Sequence, residues 1–231
     1  MNKARTVTMF APYLLVGVIH LVALATGATA VSDFTKPVLM VLLFVAFLFS
    51  LPSTRGEAAL LGSLAILLSW IGDATLSSPD NVGFLIGLGF FLLAHVAYAI
   101  LFLRRLRMRR FRPLAFVYAA WWLVLVLLLA PHLGALLAPV AVYGLVLCAM
   151  GALALHCNRW VAAGGAFFVV SDSLLGLHNF LPGFELWQAD FLIMLGYLVA
   201  QGLIAFGVLR WAWARLQSDS APAGTAARTA A

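Results

Sequence analysis

Residues 83–103 read GFLIGLGFFLLAHVAYAILFL, twenty-one positions without one Asp, Glu, Lys or Arg, and Arg104-Arg105 follow at once. As an α-helix this stretch would be about 31 Å long at 1.5 Å per residue, which matches the roughly 30 Å hydrocarbon core of a bilayer. It is continuously apolar, without the alternation of a membrane strand. The stretch therefore reads as a transmembrane helix.

The rest of the chain repeats the pattern. Apolar runs fall near 9–30, 36–51, 58–77, 83–103, 113–130, 134–156, 160–180 and 188–213. The second is short for a span and calls for tilt or local thinning. Pro37, Pro52, Pro79, Pro113, Pro131 and Pro182 lie at or just beyond the proposed ends, where a missing amide proton costs least. Trp121, Trp122, Trp187, Trp211 and Trp213 also lie near ends, as interfacial aromatic belts do. Composition agrees: 65% of residues are hydrophobic and 10% charged, against roughly 25% charged in soluble domains. The expected fold is all-α, a polytopic bundle of about eight membrane helices. Residues 1–215 form one transmembrane domain, and 216–231, rich in Ala, Ser and Thr, form a disordered cytoplasmic tail. Lys3 and Arg5 precede a first run longer than a signal peptide's apolar region, so that run is expected to be retained.

The formal charge of +6 is concentrated in loops. Arg104, Arg105, Arg107, Arg109, Arg110 and Arg112 sit between two apolar runs. With eight spans, thirteen of the fourteen basic residues fall on one side and only Lys36 on the other. That asymmetry places both termini in the cytoplasm, in a bacterial inner membrane, and assigns the arginines to topology and anionic lipid instead of nucleic acid. Cys148 and Cys157 lack zinc-ligand spacing and read as small core residues. No HExxH pair or G-x-S-x-G elbow is present, so neither a metal site nor a serine nucleophile is expected, and no cofactor.

A faint repeat runs through the chain. Gly72-Asp73-Ala74 is echoed by Ser171-Asp172-Ser173, Pro37-Val38 by Pro139-Val140, and the segment 84–90 by 191–197. Apolar sequences also match by chance. A true repeat would make a parallel four-plus-four arrangement about an axis along the membrane normal, bringing Asp73 and Asp172 to similar depths on facing helices.

Ionisable groups within a span are costly unless partnered, which makes each a functional candidate. Asp73 shares a helical face with Ser69 and Ser77. Asp172 is flanked by Ser171 and Ser173, with Asn179 further along its face. His95 and Tyr98 share a face of the fourth span, and Lys36 opens the second beside Thr35 and Asp33.

These positions resemble a family. Thr35-Lys36-Pro37, Ser69-Trp70-Ile71-Gly72-Asp73-Ala74-Thr75-Leu76, the spacing Gly87, Phe91, His95, Tyr98, then Gly165-Ala166, Phe168 and Ser171-Asp172, and finally Tyr197 and Gln201, are similar to the lysoplasmalogenase-like (YhhN) family from about residue 35 to 205. Gly196 departs from the pattern, where a bulkier or hydroxylated residue is expected, so the wall of the site should differ there.

The resemblance implies hydrolysis of the vinyl ether bond of lysoplasmalogens, a lysophospholipid substrate class, to a fatty aldehyde and a glycerophospho-head group. The residues suit that chemistry on their own. A vinyl ether is cleaved by protonating the carbon beta to oxygen and adding water to the oxocarbenium-like species, the same demands as glycoside hydrolysis: one carboxylic acid and one carboxylate. Asp73 and Asp172 are the candidate pair, with neither assigned as acid or base. His95 and Tyr98 would orient water or a carboxylate. Lys36 would hold the lipid phosphate or act electrostatically on one aspartate, with Ser69, Ser171, Tyr197 and Gln201 in support. Intramembrane Asp, His and Lys with a tandem repeat also suit a proton-coupled small-molecule or lipid transporter, or a lipid-binding membrane protein. A carrier needs its polar path to continue to the cytoplasmic face, where this sequence holds few polar groups other than arginine.

Overall fold

Long apolar runs with few helix breakers satisfy their backbone internally, which lipid demands. The computed structural model describes residues 3–76, 81–106 and 113–219, and all its regular structure is helical. The helices are α1 (Lys3–Thr26), α2 (Thr29–Ser50), α3 (Glu57–Leu76), α4 (Asn81–Leu101), α5 (Ala115–Leu133), α6 (Leu137–Ala154), α7 (Arg159–Phe180) and α8 (Ala189–Asp219). A π-turn, Phe102–Leu106, extends α4, and a 3₁₀ turn, Gly134–Leu136, joins α5 to α6. Side chains such as Phe34, Phe116 and Leu127 are well exposed around the outside, as a lipid-facing surface requires. Ser77, Pro79, Asp80 and Arg107 to Arg112 of the sequence reading lie outside the described residues.

Seven stretches are long and apolar enough to cross a membrane, and one of them, Ala115–Ala154, has 40 residues. A straight helix of that length would be about 60 Å, twice the hydrocarbon core. It folds back instead. Trp122 Nε1 donates to Ala141 O at 2.9 Å, although nineteen residues of straight helix would separate them by about 28 Å. Gly134 turns the corner at φ +51°, a conformation that favours glycine. The run is thus two helices in a hairpin, and the bundle has eight among the described residues, as expected.

The second span is not short. Helix α2 has 22 residues and contains Pro37. Its first two turns are polar, which hid them from a hydropathy reading. Their hydroxyls are absorbed locally: Ser32 donates to Thr29 O at 2.9 Å and Thr35 to Val31 O at 2.7 Å. The carbonyl of Pro37 accepts from Trp70 Nε1 at 2.9 Å. At the other end of the chain, α8 continues four residues past 215, to Asp219. The remainder of the expected tail lies outside the described residues.

Helices α3 and α4, and α7 and α8, make the most extensive pairs, α4 packs on α6, and α8 touches α2. Small residues allow the closest approach. A Cβ on Gly164 would lie 2.9 Å from Ala200 O and 3.0 Å from Ile204 N, and one on Gly207 would lie 2.9 Å from Val161 N. Asn158 caps α7, its Oδ1 accepting from Trp160 N and Val161 N, while its Nδ2 donates to Gly207 O at 2.9 Å.

Arg104 and Arg105, just past the end of α4, meet the start of α3 at one end of the bundle. Trp213 donates to Ser50 O there, and Arg104 and Arg105 both pair with Glu57, at 3.0 Å and 2.6 Å through their Nε atoms. The arginine side chains are 63% and 48% exposed. Screened by water, such a cluster contributes little. Glu57→Gln is expected to change stability by no more than about 1 kcal/mol, read as a small shift in thermal unfolding in detergent.

Candidate active site

At the end of the bundle away from those arginines, the starts of α2, α4, α6 and α8 and the ends of α3, α5 and α7 enclose a cavity of about 340 Å³. Lys36, Asp73, Tyr143, Ser171, Asp172, Ser173, Asn179, Asp190 and Tyr197 supply its polar groups, while α4 and α5 contribute only aliphatic and aromatic side chains. Both aspartates therefore reach one cavity from different helices. They are near enough to interact electrostatically.

Asp73, near the end of α3, is buried. Its Oδ2 accepts from the Tyr197 hydroxyl at 2.7 Å. Gln201, one turn further along α8, lies 3.5 Å from that hydroxyl through Nε2, and its Oε1 accepts from Tyr98 OH at 2.6 Å. The four residues form one network across α3, α8 and α4. Its direction is fixed by chemistry: Tyr98 donates to the amide oxygen, and Tyr197 donates to one oxygen of the Asp73 carboxyl group, so that a proton on that group sits on the other. Lys36, half-buried at the cavity wall, acts electrostatically on Asp73. Ser69 is fully buried one turn before Asp73, and its hydroxyl has no hydrogen-bond partner among the described residues.

Asp172 has a different set of neighbours. Its Oδ2 accepts a hydrogen bond from Tyr143 of α6, and His95 Nε2 lies 4.0 Å from the same oxygen. That separation is too long for a hydrogen bond, and neither ring nitrogen of His95 has a partner among the described residues. The imidazole is held by rings instead. Phe168 meets it edge-on at 4.6 Å, Tyr143 edge-on at 5.5 Å, and Phe91 stacks at 6.4 Å.

Three sequence expectations change. His95 and Tyr98 share a helix face but not a task, since Tyr98 belongs to the Asp73 network and His95 sits beside Asp172. Ser171 lines the cavity, yet its hydroxyl donates to Ile193 O at 2.8 Å and so fastens α7 to α8. Gly196 does not shape the wall. A Cβ there would lie 3.1 Å from Ser171 Cβ, so this residue belongs to the helix seam, where a side chain would require α7 to give way by a few tenths of an ångström.

Tyr143 was missed altogether. The signal was present, because a phenol buried mid-span needs a partner as an aspartate does. Trp121 and Trp122 do more than anchor an interface: Trp121 Nε1 donates to Ser173 Oγ at 2.9 Å, and Trp122 forms part of the cavity wall. Among the described residues, no group of three or more His, Cys, Asp or Glu lies close enough together to hold a metal ion.

The model of the YhhN family matches residues 31–208. The chain belongs to the YhhN family. The match starts in α2 and ends in α8, so it takes in every cavity residue named above. Two curated proteins are similar over 153 residues at 37% identity, each named lysoplasmalogenase, one from Mycobacterium bovis (strain ATCC BAA-935 / AF2122/97) and one from Mycobacterium tuberculosis (strain CDC 1551 / Oshkosh). The matched region is 62% of this chain and 58% of each relative, so the chain spans little more than half the length of the curated proteins it matches. No solved structure matches. Membership and the apolar helices together make this YhhN chain an integral membrane protein.

Proposed function

We propose that this YhhN protein hydrolyses the vinyl ether bond of lysoplasmalogens, with Asp73 and Asp172 as the acid–base pair. The observation that carries the reading is the shared cavity: two carboxyl groups from different helices, each accepting a hydrogen bond from a phenol, face a wall of hydrocarbon. The names of the curated relatives support the substrate class.

The geometry suggests a division of labour. A contact of 4.0 Å between His95 Nε2 and Asp172 Oδ2 suits one water held between them. Asp172 then takes the water's proton as the oxygen adds to the carbon bonded to the ether oxygen. Asp73 gives its proton to the neighbouring vinyl carbon. As the resulting hemiacetal breaks, Asp73 takes the proton of its new hydroxyl and Asp172 gives its proton to the departing glycerol oxygen. A fatty aldehyde and a free hydroxyl leave, both carboxyl groups return to their starting states and one water is consumed. Lys36 at the cavity wall would take the lipid phosphate.

Beneath the carboxylates the core is filled by side chains. Phe47, Phe102, Phe168, Met150 and Ile204 are all less than 2% exposed, which supports a pocket open at one end over a carrier's through-path. We place that open end on the outer face of a bacterial inner membrane, with both termini in the cytoplasm. The basic residues gathered at the opposite end support this orientation.

The reading is tested by incubating purified protein in detergent with lysoplasmenylethanolamine and measuring aldehyde release. Release supports it, and none from a folded protein overturns it. Tyr143→Phe is expected to lower kcat/KM about 10- to 100-fold, since hydrogen bonds to charged groups are worth about 1.5–3 kcal/mol. Unfolding temperature should stay near wild type.

A further inference from the structure

Helix α8 has two working faces. Asp190, Ile193, Met194 and Tyr197 look into the active-site cavity. Leu195, Leu198, Gly202, Phe206 and Arg210 instead line a second cavity, of about 570 Å³, whose other wall is α1 from Thr6 to Leu21. The two cavities share no lining residue. A Cβ on Gly202 would lie 3.4 Å from the Tyr13 ring, and one on Gly17 would lie 3.7 Å from Leu198. Rising numbers on α1 thus meet falling numbers on α8, and the helices are antiparallel. The same register sets Thr6 level with Arg210 and Leu21 level with Leu195. Each wall is fifteen residues from end to end, about 22 Å, which exceeds one leaflet's half of the roughly 30 Å hydrocarbon core.

This cavity is a furrow in the lipid-facing surface, for Leu14 and Val18 on its α1 wall are each 59% exposed. Its walls are set and offer hydrocarbon. The Tyr13 hydroxyl is spent on Leu198 O at 2.7 Å, and Phe206 is held edge-on by Trp160 at 5.2 Å. The charge in its lining is Arg210, one turn before Trp213 ties α8 to Ser50 at the arginine end of the bundle. Neither helix offers that guanidinium an acid: none lies between Met1 and Ser32, nor in α8 between Asp190 and Asp219. Glu57, at the same end, is already shared by Arg104 and Arg105. The mouth of the furrow is therefore positive, and its length is apolar.

We propose that this furrow holds one anionic phospholipid of the adjoining leaflet, with an acyl chain along α1 and α8 and the phosphate on Arg210. A guanidinium presents paired donors to phosphate oxygens, and the chain fills a channel that offers water no partner. A second copy of the protein fits less well. Seated here about an axis along the membrane normal, it would set two Arg210 side chains at one depth, like charge facing like. The α1 wall and Arg210 both fall outside residues 31–208, which the family model matches. The site is thus independent of the hydrolase reading.

The test uses full-length protein stripped of lipid in detergent, with native mass spectrometry counting the lipid retained. Phosphatidylglycerol and phosphatidylcholine with the same acyl chains are the probes. Wild type is expected to keep one lipid and to prefer phosphatidylglycerol roughly fivefold, the size of one basic residue's attraction for an anionic lipid. Arg210→Gln should erase the preference while a chain still binds. Val18→Trp, which puts bulk into the furrow from an exposed position, should remove the bound lipid of either kind. Arg215→Gln, on the same helix but outside the lining, should match wild type. Equal retention of the two lipids by wild type overturns the inference, as does an undiminished preference in Arg210→Gln or an equal loss in Arg215→Gln. A lipid-free dimer that Val18→Trp splits would give the furrow to a second copy and overturn it too.

Discussion

Asp172→Asn is expected to reduce aldehyde release by about 10²- to 10⁴-fold, the usual contribution of a positioned acid or base, while leaving the protein folded. Asparagine keeps the shape and can still accept from Tyr143, but it cannot take a proton from water. Asp73→Asn should cost as much, because an amide cannot supply the proton that starts the reaction. The double variant should be little worse than either single one, since groups that act as a unit are far from additive. The measurement is kcat for the three variants beside their unfolding temperatures. Wild-type turnover in either folded single variant would remove that residue from the chemistry.

The largest structural effect is expected at Gly164. Its missing side chain lets α7 lie against α8, and the atoms a Cβ would strike include the backbone of Ala200 and Ile204, which cannot rotate away. Gly164→Val should therefore destabilise by about 3 kcal/mol or more, at the upper end of overpacking costs, seen as loss of folded protein or a sharply lower unfolding temperature. Gly89 is the contrast. Nothing lies within 4 Å of a Cβ placed there, so Gly89→Ala should be neutral or slightly stabilising through helix propensity. If the two substitutions behaved alike, close approach would not be what holds α7 to α8.

Most of the spans were legible because lipid imposes one rule on every stretch that crosses it. The start of α2 was not, since Ser32 and Thr35 donate their hydroxyls to carbonyls of their own helix, an economy that hydropathy does not register. Asp73 and Asp172 stood out because a carboxyl group in a span is rare and expensive. Tyr143 did not, because a tyrosine in a span has ordinary roles in packing and at interfaces, which a carboxyl group lacks. Spacing placed His95 and Tyr98 on one face correctly but paired them wrongly. The partners of both lie on other helices, His95 beside Asp172 of α7 and Tyr98 on Gln201 of α8, and which helices meet is not written in the spacing of either. Gly196 was misread for the same reason, its neighbour being Ser171 across the seam.

The hairpin of α5 and α6 has a consequence for how the chain enters the membrane at all. Between Ala115 and Ala154 there is no Lys, Arg, Asp or Glu, and the corner is only the three residues Gly134–Leu136. Almost nothing hydrophilic has to be carried across with it. The two helices can slip in together as one apolar loop, with the nearest arginines lying on its flanks, before Ala115 and after Ala154. A single lysine placed in that corner would load the insertion step itself, and so lower the yield of membrane-inserted protein, without altering one side chain of the finished cavity.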